Sequence, residues 1–158
     1  MLPRARALRG SYADLVRAVR GGGGPLGSLI GERYDAGVLG GASLSHVTDA
    51  AERASLLAAL RSLAPDAPAL LSYLGPDDDG RANGRVERLR APLRRWLSRA
   101  VGRAAAAEGE GFLPGAGFYQ RYTAEEIEAL AAAAGYELAM HEREPYPHAL
   151  LVPSSTLG

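Results

Sequence analysis

Short apolar runs alternate with amphipathic stretches along most of this chain. Residues 34–39 form a short, largely apolar run between turn residues, and residues 69–74, "ALLSYL", form a second. Both read as buried strands. Between them Leu56, Leu57, Leu60 and Leu63 share one helical face, Asp49 stands as a cap and Glu52 follows three residues later. That spacing predicts a helix from Asp49 to Leu63, closed by Pro65 and Pro68. Ser11 to Arg20 reads as a shorter helix, with Ser11 as N-cap, Asp14 in the first turn and Leu15, Val16 and Val19 on one face, ended by "GGGGP". Thr123, with Glu126 at the capping-box position, opens a helix through Ala134 that Gly135 closes.

Tyr136 to His141 and His148 to Val152 read as the last two strands. Their connection is too short for a parallel crossover, so the pair is antiparallel. Val86 to Ala107 is amphipathic, with Leu89, Leu93, Trp96 and Leu97 on the apolar stripe, arginines opposite, and Pro92 splitting the helix. "GPDDDGRANG" and "EGEGFLPGAG" read as loops, and Pro3 to Arg9 as a short strand or a frayed terminus. Strands alternating with helices predict an α/β sheet, and 158 residues suffice for one domain with one core.

Composition removes several function classes. With no cysteine, disulfides, thiolate chemistry and Cys-ligated metals are excluded. Formal net charge is +0, so nothing global points to nucleic acid or to an anionic membrane. All 18 basic residues are arginine, a compositional habit that discounts the arginine face of residues 85–103 as an RNA or anion surface. No apolar run approaches the roughly 20 residues of a membrane span, and no apolar core follows the arginines of residues 1–9 as in a signal peptide. A cytoplasmic protein is the expectation.

Few motifs survive their context. Gly22-x-Gly24-x-x-Gly27 has the spelling of a dinucleotide fingerprint, but a helix precedes it and Pro25 follows the second glycine, where the fingerprint needs a strand before and a helix after. Gly22 to Ser28 imitates a phosphate-binding loop without its lysine. Asp77, Asp78 and Asp79 have the chemistry to hold a divalent cation, but adjacent acids in a Gly/Asn-rich loop are more often solvated; the histidines have no ligand spacing, so no metal is expected. His141 and His148 fall on the closing strand pair, where local hydrogen bonds satisfy them. His46 differs, because "YDAGVLGGASLSHV" places it just past a strand end, where α/β sheets put their ligands. The same position also suits an ordinary loop residue.

Taken in order, these pieces resemble the C-terminal part of a class I S-adenosylmethionine-dependent methyltransferase. "RYDAGVLGGASLSHV" resembles the family's fourth strand and the loop after it. "LRSLAPDAPALLSYL" resembles the helix, proline-bearing turn and fifth strand, with Asp66 and Ala67 where the family often has glycines. "GFYQRYTAEEIEALAAAAGYELAMHE" resembles the stretch from an aromatic residue through a threonine-capped, alanine-rich helix to the penultimate strand, and "YPHALLVP" the last, antiparallel one. "RALRGSYADLV" stands where the third strand ends, with Gly10 and Ser11 in place of the usual Gly-Asp.

The resemblance implies a partial Rossmann-like sheet, mostly parallel with an antiparallel last strand and helices on both faces. The implied strand order is fourth, fifth, last, penultimate. The core is expected to hold Val38, Leu39, Leu57, Leu60, Leu70, Leu71, Ile127, Leu130 and Leu150. It implies S-adenosylmethionine as cofactor, held by Ser11, Tyr12, Gly40, Gly41 and Ser45, with His46 as catalytic base and Tyr119 and Tyr122 lining the acceptor pocket. The stretch from Gly75 to Gly117 is implied to be a lid-like insert. A small-molecule acceptor is expected, with no nucleic acid and no membrane as partner. The family's first two strand–helix units, which grip the methionine and ribose parts of the cofactor, have no counterpart before Ser11. The expectation is therefore a truncated domain, possible self-association through an exposed strand edge, and possible inactivity of the 158-residue chain by itself. The alternative is a non-catalytic remnant of the fold that serves as a subunit or partner-binding module.

Overall fold

In the computed structural model, residues 6–76, 110–113, 117–144 and 146–155 are described. The acidic run of residues 77–79, the amphipathic stretch of residues 86–107 and most of the stretch between Gly75 and Gly117 lie outside them.

Among the described residues, six strands and three α-helices follow in chain order: α1 (Tyr12–Arg17), β1 (Gly37–Leu39), α2 (Ala50–Leu63), β2 (Ala69–Ser72), β3 (Glu110–Leu113), β4 (Gly117–Gln120), α3 (Ala124–Ala133), β5 (Tyr136–Glu142) and β6 (His148–Pro153). The chain is α/β. Its four-stranded sheet has the order β1-β2-β6-β5. β1 and β2 are parallel, and β6 runs antiparallel to both β2 and β5, so three strands share a direction and β6 alone is reversed. This is the expected order, with His148 to Val152 inside the sheet.

The helices begin where their caps put them. The Ser11 hydroxyl accepts from the Asp14 N–H at 3.1 Å while the Asp14 carboxylate accepts from the Ser11 N–H at 2.9 Å. That backbone bond holds the Asp14 carboxyl below its usual range. Beyond Arg17 the helix widens into a π turn, Ala18–Gly22. The Asp49 carboxylate accepts from the Glu52 N–H at 2.8 Å, and Thr123 with Glu126 forms a complete capping box.

Strand register decides what is buried. Leu39 pairs with Leu71, and Ala69 with Leu151, and these side chains meet Leu56 and Leu57 of α2 and Ile127 and Ala131 of α3 in one core. The other face differs from expectation. Val38 is 65% and Leu70 38% exposed, so neither belongs to the core, and Leu150 on the same face is half-buried, whereas Leu60 and Leu130, also half-buried, pack against the core as expected. Among the described residues, α2 and α3 both pack on the Leu71 face, and the cover expected on both sides is described on one. β1 is also shorter than expected, and residues 6–10 form no strand.

Two features were not foreseen. Residues 110–113 and 117–120 pair as an antiparallel hairpin rather than forming a loop. Gly111 faces Tyr119 across it, and the tyrosine ring lies over the glycine so closely that any Cβ there would run into it. The second is a bulge in β5: Leu138 pairs with Leu151, but Met140 pairs with Leu150, leaving Ala139 as the extra residue. The bulge exchanges the faces, so His141, opposite buried Ala149, points to the core side and Met140 does not.

Candidate functional site

The chain leaves β1 through a tight reversal at the carboxyl end of the sheet. Gly41 has φ 62° and Ala42 φ 55°, two successive left-handed residues, and the second is a conformation that a side chain normally avoids. The Ala42 N–H donates to Ser72 Oγ at 2.8 Å, and that hydroxyl donates to the Leu39 carbonyl at 3.3 Å. Ser43 bonds the Gly40 carbonyl. A short 3-10 turn, Ser43–His46, then buries Leu44 and Ser45, and Ser45 Oγ accepts from the Leu74 N–H at 2.8 Å. Leu44 and Val47 plug into the core beneath. The outward surface that remains is Gly40, Gly41 and His46, all exposed. Among the described residues, a Cβ built on Gly40 or Gly41 would meet nothing within 4 Å, so none of them fills the space above this turn.

The hairpin stands beside the turn. Leu74 and Arg121 form a parallel bridge, the Tyr122 N–H donates to the Leu74 carbonyl at 2.9 Å, and His46 Nδ1 lies 3.3 Å from the Phe118 carbonyl oxygen. Strand alternation sorts the aromatic residues. Phe118 is 50% exposed, whereas Tyr119 is buried under the Arg121 guanidinium, which donates to its hydroxyl at 2.9 Å. Tyr122 is 4% exposed, with Arg53 5.5 Å above its ring centre and Tyr73 packed edge-on at 6.1 Å.

Tyr73 extends this cluster to β5. Its hydroxyl bonds His141 Nε2, the two rings stack 6.0 Å apart, and burial raises the phenol's pKa. The bulge in β5 makes this contact possible by turning His141 toward the core. The closing strands otherwise satisfy themselves locally: His148 Nδ1 lies 2.7 Å from the Tyr146 carbonyl oxygen.

The Tyr122 hydroxyl is buried with no hydrogen-bond partner among the described residues, and burial pushes its pKa from the ordinary 10.0 up to about 12. The folded state therefore holds this proton more tightly than the unfolded chain. Stability from this group is intact below pH 10.0 and is lost as pH rises through about 12. Two pH units are worth about 2.7 kcal/mol before solvent screening and about 2 kcal/mol after it. Tyr122→Phe is expected to flatten this alkaline loss. It should leave stability at pH 7 unchanged or raised by about 1 kcal/mol, because an unpaired buried hydroxyl is removed. Urea denaturation at neutral pH and across the alkaline window measures both.

The structure brings Gly40, Gly41, Ser45 and His46 together with residues 118–122 at one sheet edge. Ser45 lies beneath that surface, its hydroxyl engaged by Leu74, and Tyr119 and Tyr122 turn inward. Ser11 is engaged in its cap, and Tyr12 lines a cleft against the first turns of α2. Phe118 and Ser72 are the members of this edge that sequence reasoning missed. Reading "GFYQ" as a strand would have put Phe118 and Tyr119 on opposite faces and found the first. Among the described residues, no group of three metal-ligating side chains occurs, and no helix is long and apolar enough to cross a membrane.

No protein-family model matches the chain, and no curated protein matches it. Among solved structures it is similar to a SAM-dependent methyltransferase from Methanosarcina mazei, at 17% identity and a TM-score of 0.49, over 75% of this chain and 57% of that one. It is also similar to an O-methyltransferase family protein from Burkholderia thailandensis, at 17% identity and a TM-score of 0.48, over 90% of this chain and 34% of that one. The chain thus spans 57% of the length of the first and 34% of the second.

Proposed function

We propose that this chain carries the acceptor-side part of a class I S-adenosylmethionine-dependent methyltransferase whose acceptor is a small molecule. The observation that supports this reading best is the open glycine turn at the carboxyl end of β1, with His46 at its rim. Ligands of open α/β sheets sit outside the carboxyl ends of the strands. At Gly40 and Gly41 none of the described residues stands in the way of close backbone approach, so the turn fits one side of the cofactor. When bound, the cofactor supplies an electrophilic methyl group. The chain's own residues then align and deprotonate the acceptor. Phe118 offers an exposed ring as a wall for an apolar acceptor, and His46, tied to the Phe118 carbonyl, takes the proton from an acceptor O–H or N–H.

Titration of the 15N-labelled 158-residue chain with S-adenosylhomocysteine, followed by NMR, tests the reading. The expected result is saturable shifts at Gly40, Gly41 and His46 with a millimolar dissociation constant. The described residues do not supply the ribose and methionine contacts that the resemblance assigns to other strand–helix units. At about 1.5–3 kcal/mol each, losing two or three such contacts weakens binding by roughly three decades or more. Unmoved resonances at the turn up to about 10 mM overturn the reading, since that concentration is well above a millimolar constant.

One observation favours the second reading, a non-catalytic module that binds a partner chain. Val38, Leu70, Leu150 and Met140 are in register across all four strands and form an apolar row on the face opposite the core, with Val38, Leu70 and Met140 exposed. Such rows mark interaction surfaces, and among the described residues β1 pairs with no strand on its outer edge. Light scattering on the same sample separates the readings: association abolished by Val38→Lys, without shifts at the glycine turn, supports the module.

A further inference from the structure

A cleft of about 480 Å³ lies between α1 and the first turns of α2, within the usual range for small-molecule sites. Its walls are mostly apolar: Tyr12 and Val16 on one side, Ala51 on the other. Among the described residues packing leaves them open, since α1 has no buried residue between Tyr12 and Arg17, and Tyr12 itself is exposed.

Two guanidinium groups stand on this cleft, and they differ. Arg17 is already paired with Asp14 at 3.3 Å. Arg20 lies in the π turn, donates from Nη2 to Ser55 Oγ on α2 at 3.2 Å, and has no carboxylate partner among the described residues. One of its five N–H donors is thus spent on a bond that holds the side chain across the cleft, and the rest remain available in a fork that matches a carboxylate or a phosphate. The carboxylate on the opposite wall, Glu52, stands one turn before Ser55 on α2 and repels an anionic end toward Arg20.

We propose that the cleft between α1 and α2 is a second binding site, for a small aromatic or aliphatic molecule bearing a carboxylate or a phosphate. The apolar body lies along Tyr12, Val16 and Ala51, and Arg20 receives the anion. The site goes beyond the methyl-transfer reading: of the residues the resemblance assigns to the cofactor only Tyr12 lines it, and Gly40, Gly41 and His46 take no part in it.

The test is NMR titration of the 15N-labelled chain with benzoate, phenyl phosphate and the neutral control benzamide. Benzoate or phenyl phosphate is expected to saturate, with shifts confined to residues 12–22 and 51–55, and the tighter of the two identifies the preferred anion. Benzamide should bind about tenfold or more weaker, and Arg20→Ala should weaken the anion by a similar factor, consistent with loss of a charge-assisted bond. Arg20 is exposed, so the variant's amide spectrum is expected to retain its dispersion. Ser55→Ala, which frees the Arg20 side chain, should give a smaller loss. Shifts scattered over the surface, equal affinity for benzamide, or an Arg20→Ala variant that binds as well as the parent overturns the proposal. Titration with S-adenosylhomocysteine reads the β1 turn separately, so failure there leaves the cleft result standing, and the converse holds.

Discussion

Leu71→Ala is expected to destabilise the protein by about 2–5 kcal/mol, whereas Leu70→Ala, its neighbour on β2, should cost less than about 1 kcal/mol. Leu71 is fully buried between Leu39 and Ala149 and beneath α2 and α3, so truncation leaves a cavity that rigid neighbours cannot fill. Leu70 lies on the opposite face at 38% exposure and already has water for a neighbour. The larger loss is a sizeable share of the roughly 5–15 kcal/mol that holds a domain of this size together, so the Leu71 variant should populate unfolded chain at ordinary temperature. Urea denaturation of the two variants side by side measures the contrast. Equal costs would mean that the Leu70 face is covered in solution.

That contrast marks a limit of the sequence. A run such as "ALLSYL" has the continuous apolar character of a strand covered on both faces, and so has the run ending at Leu39. Nothing in the run shows which face is covered, because that depends on elements elsewhere in the chain. The helices were legible because their signals are local: Ser11, Asp49 and Thr123 each cap a helix through the residue three positions on, and Leu56, Leu57 and Ile127 fall on the inward face. The strand order came from the resemblance, not from periodicity. The β5 bulge was not legible, since strict alternation from Tyr136 puts Met140 inward, and the extra residue at Ala139 brings His141 in to meet Tyr73. The β3–β4 hairpin was hidden by its glycines, which lower strand propensity, although Gly111 is what lets the Tyr119 ring lie across the pair.

The β1 turn was legible in part and for a definite reason. Two glycines after a short apolar run mark a strand end with unusual backbone, and the left-handed pair at Gly41 and Ala42 bears that out. What the letters did not separate is which polar side chains face outward. Ser45 looks as available as His46 in "GASLSH", but the 3-10 turn rotates Ser45 under the strand to take the Leu74 N–H and leaves His46 in solvent. Buried N–H groups need an acceptor, and Ser45 Oγ supplies one to the Leu74 N–H at 2.8 Å.

His46→Ala is expected to lower methyl transfer by about 10²-fold or more in an active enzyme containing this chain, read as release of S-adenosylhomocysteine. Stability should change little, because His46 is exposed and its only described polar contact is the 3.3 Å approach to the Phe118 carbonyl. A proton acceptor and a mere prop for the hairpin give different results. If His46 takes the acceptor's proton, added imidazole should restore part of the lost turnover, and an acceptor whose nucleophile carries no proton should be methylated at nearly the parent rate. If His46 only positions Phe118, imidazole should restore nothing, both kinds of acceptor should suffer alike, and the amide resonances of residues 117–120 should shift in the variant. Unchanged turnover, or turnover lost in that second pattern, removes His46 from the chemistry and leaves the β1 turn with its backbone alone.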